Sequence, residues 1–353
     1  MHHRTHTQVL LTSLLLVAPL ACDELDPELD HELGDELDEL DDELDVSFRN
    51  GGLTTGRRLN THNGGFIEYD TLPLNGSDHE GIWLLGVDYH PSGVESPGPS
   101  IPVDIPTIDV VDTELRATTV EGQPLAHTDF GQTEWHVLTP NGEIDLRVEA
   151  TRDPETWTAL YQFRWRPHGS GEAFLHNCLM PGEPQLTTAA VYRDIDVHPD
   201  GSITPLPERL YIGCIAGAVG KASLFGYRPE IGSFALQQIA IGNDPVHAFS
   251  AATRMIRADY CGDGTSFTQT GTPIYVQDKV IINDGPSGLF VWPGPQNEAV
   301  WGLDGAWCVD LPRIHPWWWT QPTCNGVPLP SCGPDVHTWF WFSPALFRTD
   351  SDP

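Results

Sequence analysis

Seven cysteines carry the most reactive chemistry in this chain: Cys22, Cys178, Cys214, Cys261, Cys308, Cys324 and Cys332. None stands in C-x-x-C spacing, which argues against a zinc ribbon and against a redox dithiol. Cys261 as a nucleophile would need a lowered pKa and a base such as His247. Asp259, His247 and Arg254 are the catalytic candidates for a hydrolase with its site near one central helix. The structural reading beside it is that Asp259 accepts backbone N–H groups in a turn and Tyr260 packs. Asp259-x-Cys261-x-Asp263-Gly264 copies the first half of an EF-hand loop. Its third position is Cys and its twelfth is Thr270, so the bidentate calcium ligand is missing. A looser calcium site on Asp259 or Asp263 is what remains of that reading. The 15 histidines form no H-E-x-x-H motif and no close i, i+4 pair outside the leader. His62, His79, His90, His127 and His136 are scattered, so spacing predicts no metal site and no cofactor. Walker, dinucleotide and G-x-S-x-G patterns are absent.

The element that must position these groups runs from Asn243 to Gly264. Asp244 is placed to cap it, and Pro245 suits the first helical position. Val246, Phe249, Thr253 and Ile256 recur on one face. Arg254 and Arg257 lie in the last turn, where positive charge suits the helix dipole. Gly262 and Gly264 are expected to stop it. Around this helix the chain reads as antiparallel strands with frequent Pro and Gly turns. Phe66–Leu72 and Ile82–Tyr89 are strand-like, and Ser92–Pro106 reads as a linker or long loop. Residues 134–138 and 143–148 flank Thr139-Pro140-Asn141-Gly142, a strong hairpin signal. Further strands are expected at Thr158–Trp165, Ala190–Val197, Leu210–Cys214, Phe234–Ile241 and Thr265–Val276. A second hairpin joins Glu298–Leu303 to Ala306–Leu311 across Asp304-Gly305, and Ala216–Phe225 reads as a short helix. The fold class is therefore mainly β, with antiparallel sheets and one or two short α-helices, stapled by disulfides.

The motif Arg257-Ala258-Asp259-Tyr260-Cys261-Gly262-Asp263-Gly264 resembles the one that names the ADYC domain, a family seen mostly in myxobacterial lipoproteins. Gly226-Tyr227-Arg228-Pro229, Thr253-Arg254-Met255, Thr270-Gly271-Thr272, Glu298-Ala299-Val300-Trp301, Asp304-Gly305-Ala306 and Cys308 are similar to the family's other blocks, in the same order. The resemblance runs from about Thr113 to Cys308 and implies no activity. It also implies cysteines at positions that hold Ala222 and Ala252 here. Joint loss of a pair leaves the six cysteines after Cys22 to bond among themselves, so the resemblance makes Cys261 structural. Six cysteines allow 15 connectivities. Pairing Cys324 with Cys332 leaves three arrangements for the rest, of which Cys178–Cys214 with Cys261–Cys308 is preferred.

The two ends set the location. Val9–Ala21 is an apolar run of 13 residues, too short to span a bilayer as a helix. It suits the h-region of a signal peptide, and Pro19-Leu20-Ala21-Cys22 resembles a lipobox. Lipidation of Cys22 is expected, which makes the membrane the partner through the anchor. Residues 23–45 hold 14 acidic residues and no basic one, with leucines at 25, 29, 33, 37, 40 and 44. Self-repulsion makes this an extended tether rather than an isolated helix. The chain divides into a leader (1–22), the tether (23–45), a β-rich segment with its linker (46–111), the ADYC-like region (112–311) and a C-terminal lobe (312–353). The lobe's Trp317-Trp318-Trp319 and Trp339-Phe340-Trp341-Phe342 read as the core of a cysteine-stapled unit. A net charge of −32 excludes nucleic acid as a partner. The leading expectation is a lipid-anchored cell-envelope protein, non-enzymatic, that binds or builds structure. Its rival is the secreted hydrolase on Asp259, His247 and Arg254. A protein or glycan partner is not specified.

Overall fold

Period-two alternation builds the central strands. Thr133–Thr139 buries Thr133, Trp135, Val137 and Thr139, while Glu134, His136 and Leu138 stay half-exposed on the other face. The computed structural model describes residues 66–67, 69–96, 98–154, 156–179, 186–198, 201–229, 245–268, 274–278, 282–283, 296–313, 321–336 and 345–351. The leader with Cys22, the tether, Asn243-Asp244, the expected strand Phe234–Ile241 and both tryptophan-rich runs lie outside them.

In chain order the strands are β1 (Phe66–Ile67), β2 (Thr71–Pro73), β3 (Trp83–Tyr89), β4 (Ile101–Pro102), β5 (Asp109–Val111), β6 (Glu114–Thr118) and β7 (Pro124–Ala126). Then come β8 (Thr133–Thr139), β9 (Gly142–Arg152), β10 (Ala159–Pro167), β11 (Leu175–His176), β12 (Cys178–Leu179), β13 (Ala189–Val197) and β14 (Ile203–Cys214). The helices α1 (Ala218–Leu224) and α2 (Pro245–Arg257) follow. The last strands are β15 (Ile274–Asp278), β16 (Ile282–Asn283), β17 (Gln296–Gly302), β18 (Gly305–Val309), β19 (Thr323–Cys324), β20 (Val327–Pro328) and β21 (Phe347–Ser351).

Nine strands make one antiparallel sheet, in the order β2-β14-β13-β10-β9-β8-β3-β4, with β11 added on β10. Strands from before residue 112 are thus built into the same sheet as those after it. Of the two readings of Ser92–Pro106, long loop or linker, the loop holds: its described residues up to 100 are turn and irregular chain, and its end is tied into the sheet. Within it β4 pairs with β3, and the Val103 N–H bonds the Val87 carbonyl at 2.8 Å. One face of the sheet carries Trp135, Tyr161 and Phe163 in one cluster with Ile108 and with Val110, Leu115 and Leu125 of the small β5-β6-β7 layer. There the Tyr161 hydroxyl accepts the Leu115 N–H at 2.8 Å.

The other face is divided. Over β13 and β14 it is apolar, and Tyr192 and Tyr211 pack on α1, α2 and Trp301 and Phe347 of the second sheet, β16-β15-β21-β17-β18. Apolar surface buried in this way contributes about 1.5–3 kcal/mol per large side chain. Over β3, β8, β9 and the far end of β10 the same face is charged. Because α2 is packed by elements on more than one side, it buries Ala248, Ser250, Ala251, Ala252 and Met255 beyond the expected stripe. Ala222 and Ala252, where the resemblance implied cysteines, are both fully buried in this one cluster.

Two expectations about the chain after α2 need correction. Residues 265–268 are not strand, and the strand described in this stretch is β15, Ile274–Asp278. The Ser266 hydroxyl and the Phe267 N–H are spent on the Arg257 carbonyl, at 2.7 and 3.3 Å, so this segment caps the helix instead of joining a sheet. The bridges are Cys178–Cys214, Cys261–Cys324 and Cys308–Cys332, not the preferred Cys261–Cys308 and Cys324–Cys332. Segment 321–332 turns back on itself through β19 and β20. That hairpin sends Cys324 to the turn after α2, while the Cys332 N–H bonds Asp310 Oδ1 beside β18.

Candidate functional site

The α2 terminus shows what the family motif does. The Ala258 N–H bonds the Met255 carbonyl at 3.1 Å, and the Asp259 N–H bonds the Arg254 carbonyl at 2.9 Å. This is a Schellman cap, with Ala258 at φ 54° in the position glycine usually takes. Ala258, not Gly262 or Gly264, therefore stops the helix. Asp259 is fully buried, and its oxygens accept the N–H groups of Asp263 and Gly264 at 3.2 and 3.0 Å. Burial pushes its carboxyl above the usual range, against the pull of Arg257. Tyr260 stacks on Trp301 with ring centroids 5.2 Å apart. Its hydroxyl donates to Glu298 Oε1 at 2.9 Å and accepts the Arg313 N–H at 2.7 Å. Burial, with Glu298 beside it, holds that phenol well above its ordinary pKa.

Arg313 completes the lock. Its guanidinium pairs with Glu298 at 2.8 Å and donates to the Ile256 and Met255 carbonyls at 2.7 and 3.0 Å. The two side chains are 1 % and 0 % exposed. Gly262, at φ 67°, touches the β17–β18 turn so closely that a Cβ would stand 2.0 Å from the Asp304 carbonyl oxygen. Just beyond that turn the Ala306 N–H donates to the Tyr260 carbonyl at 2.8 Å.

The sequence candidates do not converge. His247 is exposed in the first turn of α2, ten residues and about 15 Å of helix before Arg257. Arg254 donates to the Leu303 carbonyl at 3.1 Å. Asp259 faces backbone, Asp263 Oδ1 accepts the Thr265 N–H at 2.9 Å, and Cys261 is bridged.

Side chains free to meet a ligand gather elsewhere, on the charged half of the large sheet. The β8–β9 hairpin pairs His136 directly with Asp145, and β10 ends beside them at Pro167, just before His168. His136 Nδ1 lies 3.1 Å and His168 Nδ1 2.7 Å from Asp145 Oδ1. The imidazoles meet edge to face, with centroids 5.8 Å apart. Asp145 is buried, His136 half-buried and His168 exposed. Burial raises the Asp145 pKa, but hydrogen bonds from His168 and His136 outweigh it and hold the carboxyl below the usual range. The same hydrogen bond to Asp145 raises His168. Arg147 and Arg166 both lie over the Phe174 ring at 4.4 Å, walling one side. His136 and Asp145 stand symmetrically about the Pro140-Asn141 loop, so the expected hairpin already contained this pair. His168 required the β9–β10 register, for which local sequence holds no signal.

The ADYC domain matches residues 127–315, more than half of the chain. No curated protein and no solved structure matches it.

Proposed function

The chain belongs to the ADYC domain family, and from that premise we propose that it is a lipid-anchored cell-envelope protein whose disulfide-stapled domain binds a partner or builds structure rather than catalysing a reaction. One observation carries the non-catalytic reading. The three groups that name the motif are spent on the fold, Asp259 on backbone N–H groups, Tyr260 on Glu298 and Cys261 on Cys324. Three disulfides point to an oxidising, extracytoplasmic compartment. Among the described residues no helix is long and apolar enough to cross a membrane. The anchor is assigned to Cys22 on the lipobox-like Pro19-Leu20-Ala21-Cys22, with residues 23–45 as the spacer that holds the domain off the bilayer. The acidic balance favours a cationic or neutral partner over a polyanion.

Growth with a clickable fatty-acid analogue tests the anchor. The wild type is expected to be labelled and to sediment with membranes. Cys22→Ser is expected to lose the label and to appear in the soluble fraction. Equal labelling of both proteins would remove Cys22 as the attachment point.

A further inference from the structure

Independently of the anchor, we propose that His136, Asp145 and His168 bind one borderline divalent transition-metal ion, zinc foremost, on the charged half of the large sheet. One donor atom from each residue lies within 4.8 Å of the others. Zinc–nitrogen and zinc–oxygen bonds of about 2.0–2.2 Å put the donors of a tetrahedral ion roughly 3.3 Å apart. The two Nδ1 atoms already stand 3.1 and 2.7 Å from Asp145 Oδ1. The His168 ring is exposed and so is free to adjust around an ion. Two imidazoles and one carboxylate suit zinc or copper, whereas magnesium and calcium take shells of oxygen.

The surroundings are arranged as around a metal ligand. Asp88 Oδ2 lies 3.3 Å from His136 Nε2, the far nitrogen. When an ion binds, the Nδ1 proton that His136 shares with Asp145 is released to solvent, and a carboxylate at Nε2 keeps the other N–H in place, as outer carboxylates do for metal-bound histidines. Both rings meet Asp145 at Oδ1, while the Arg166 guanidinium lies 3.6 Å from Oδ2 as a charge contact. Glu143 Oε1, 3.6 Å from His168 Nδ1, or a water fills the fourth position. All cysteines of the described domain are bridged to one another, so thiolates do not compete for the ion.

The acidic stretch 23–45 also attracts cations, and the experiment must separate the two. Full-length protein, stripped with a chelator, is titrated calorimetrically with zinc at 0.15 M salt beside His168→Gln and Asp88→Asn. The wild type is expected to show one site that His168→Gln weakens at least tenfold. Asp88→Asn, which touches no ion, is expected to weaken it about 10–100-fold. Cobalt in place of zinc should give the visible bands of a four-coordinate ion in the wild type and lose them in His168→Gln. Circular dichroism of both variants should match the wild type, since His168 is exposed and Asp88 half-buried. Zinc uptake that is the same in His168→Gln as in the wild type, or no uptake at all, overturns the assignment.

Discussion

Replacing Arg313 with Met is expected to lower the unfolding free energy by about 3–5 kcal/mol, the usual cost of stranding one member of a buried ion pair. Glu298 is 0 % exposed, so losing its partner leaves a buried charge without its countercharge. The variant also takes the Ile256 and Met255 carbonyls' donors away from the end of α2. Urea unfolding followed by tryptophan fluorescence measures the loss. The double variant Arg313→Met with Glu298→Leu should recover much of it, because no unpaired charge is then buried. A single variant within about 1 kcal/mol of the wild type would show that the network does not hold the helix end.

Cys261→Ser should cost about 2–5 kcal/mol, the range for losing a native bridge in an exported domain. The identity of the freed thiol is the sharper readout. Alkylation under native conditions followed by peptide mass analysis should tag Cys324 alone, the partner across 63 residues. Tagging of Cys308 instead would restore the pairing preferred from sequence. A fast-reacting thiol at Cys261 in the wild type would revive the nucleophile.

What was legible in the sequence was local. The limits of α2 at Pro245 and Arg257 follow from a proline start and a 3.6-residue stripe, and they agree with the structure. Asn141-Gly142 located the β8–β9 turn, and Asp304-Gly305 located the β17–β18 turn. The stop of α2 at Ala258 was hidden because alanine rarely adopts a left-handed backbone, and here the capping hydrogen bonds and the burial of Asp259 and Tyr260 beyond it accompany that conformation. Glu298, Arg313 and His168 were hidden for a different reason. Each meets its partner through a contact between strands or segments whose register no local pattern encodes. His136 and Asp145 lie between these cases, since their pairing follows once the hairpin is counted residue by residue.

The bridges Cys261–Cys324 and Cys308–Cys332 interleave along the chain. This bears on how the domain matures. During export the cysteines emerge in the order 178, 214, 261, 308, 324, 332. An oxidase joining each new thiol to the one before it makes Cys178–Cys214 correctly, then traps Cys261 with Cys308 and leaves Cys324 to Cys332. Maturation therefore depends on thiol–disulfide exchange, or on delaying oxidation until β19 and β20 have folded. Refolding of reduced protein with an oxidant alone should accumulate a species bridged Cys261–Cys308, and a glutathione redox pair or a disulfide isomerase should convert it to the native set. Native yield independent of any exchange catalyst would mean that the β17–β18 hairpin and the turn after α2 assemble before their cysteines are oxidised.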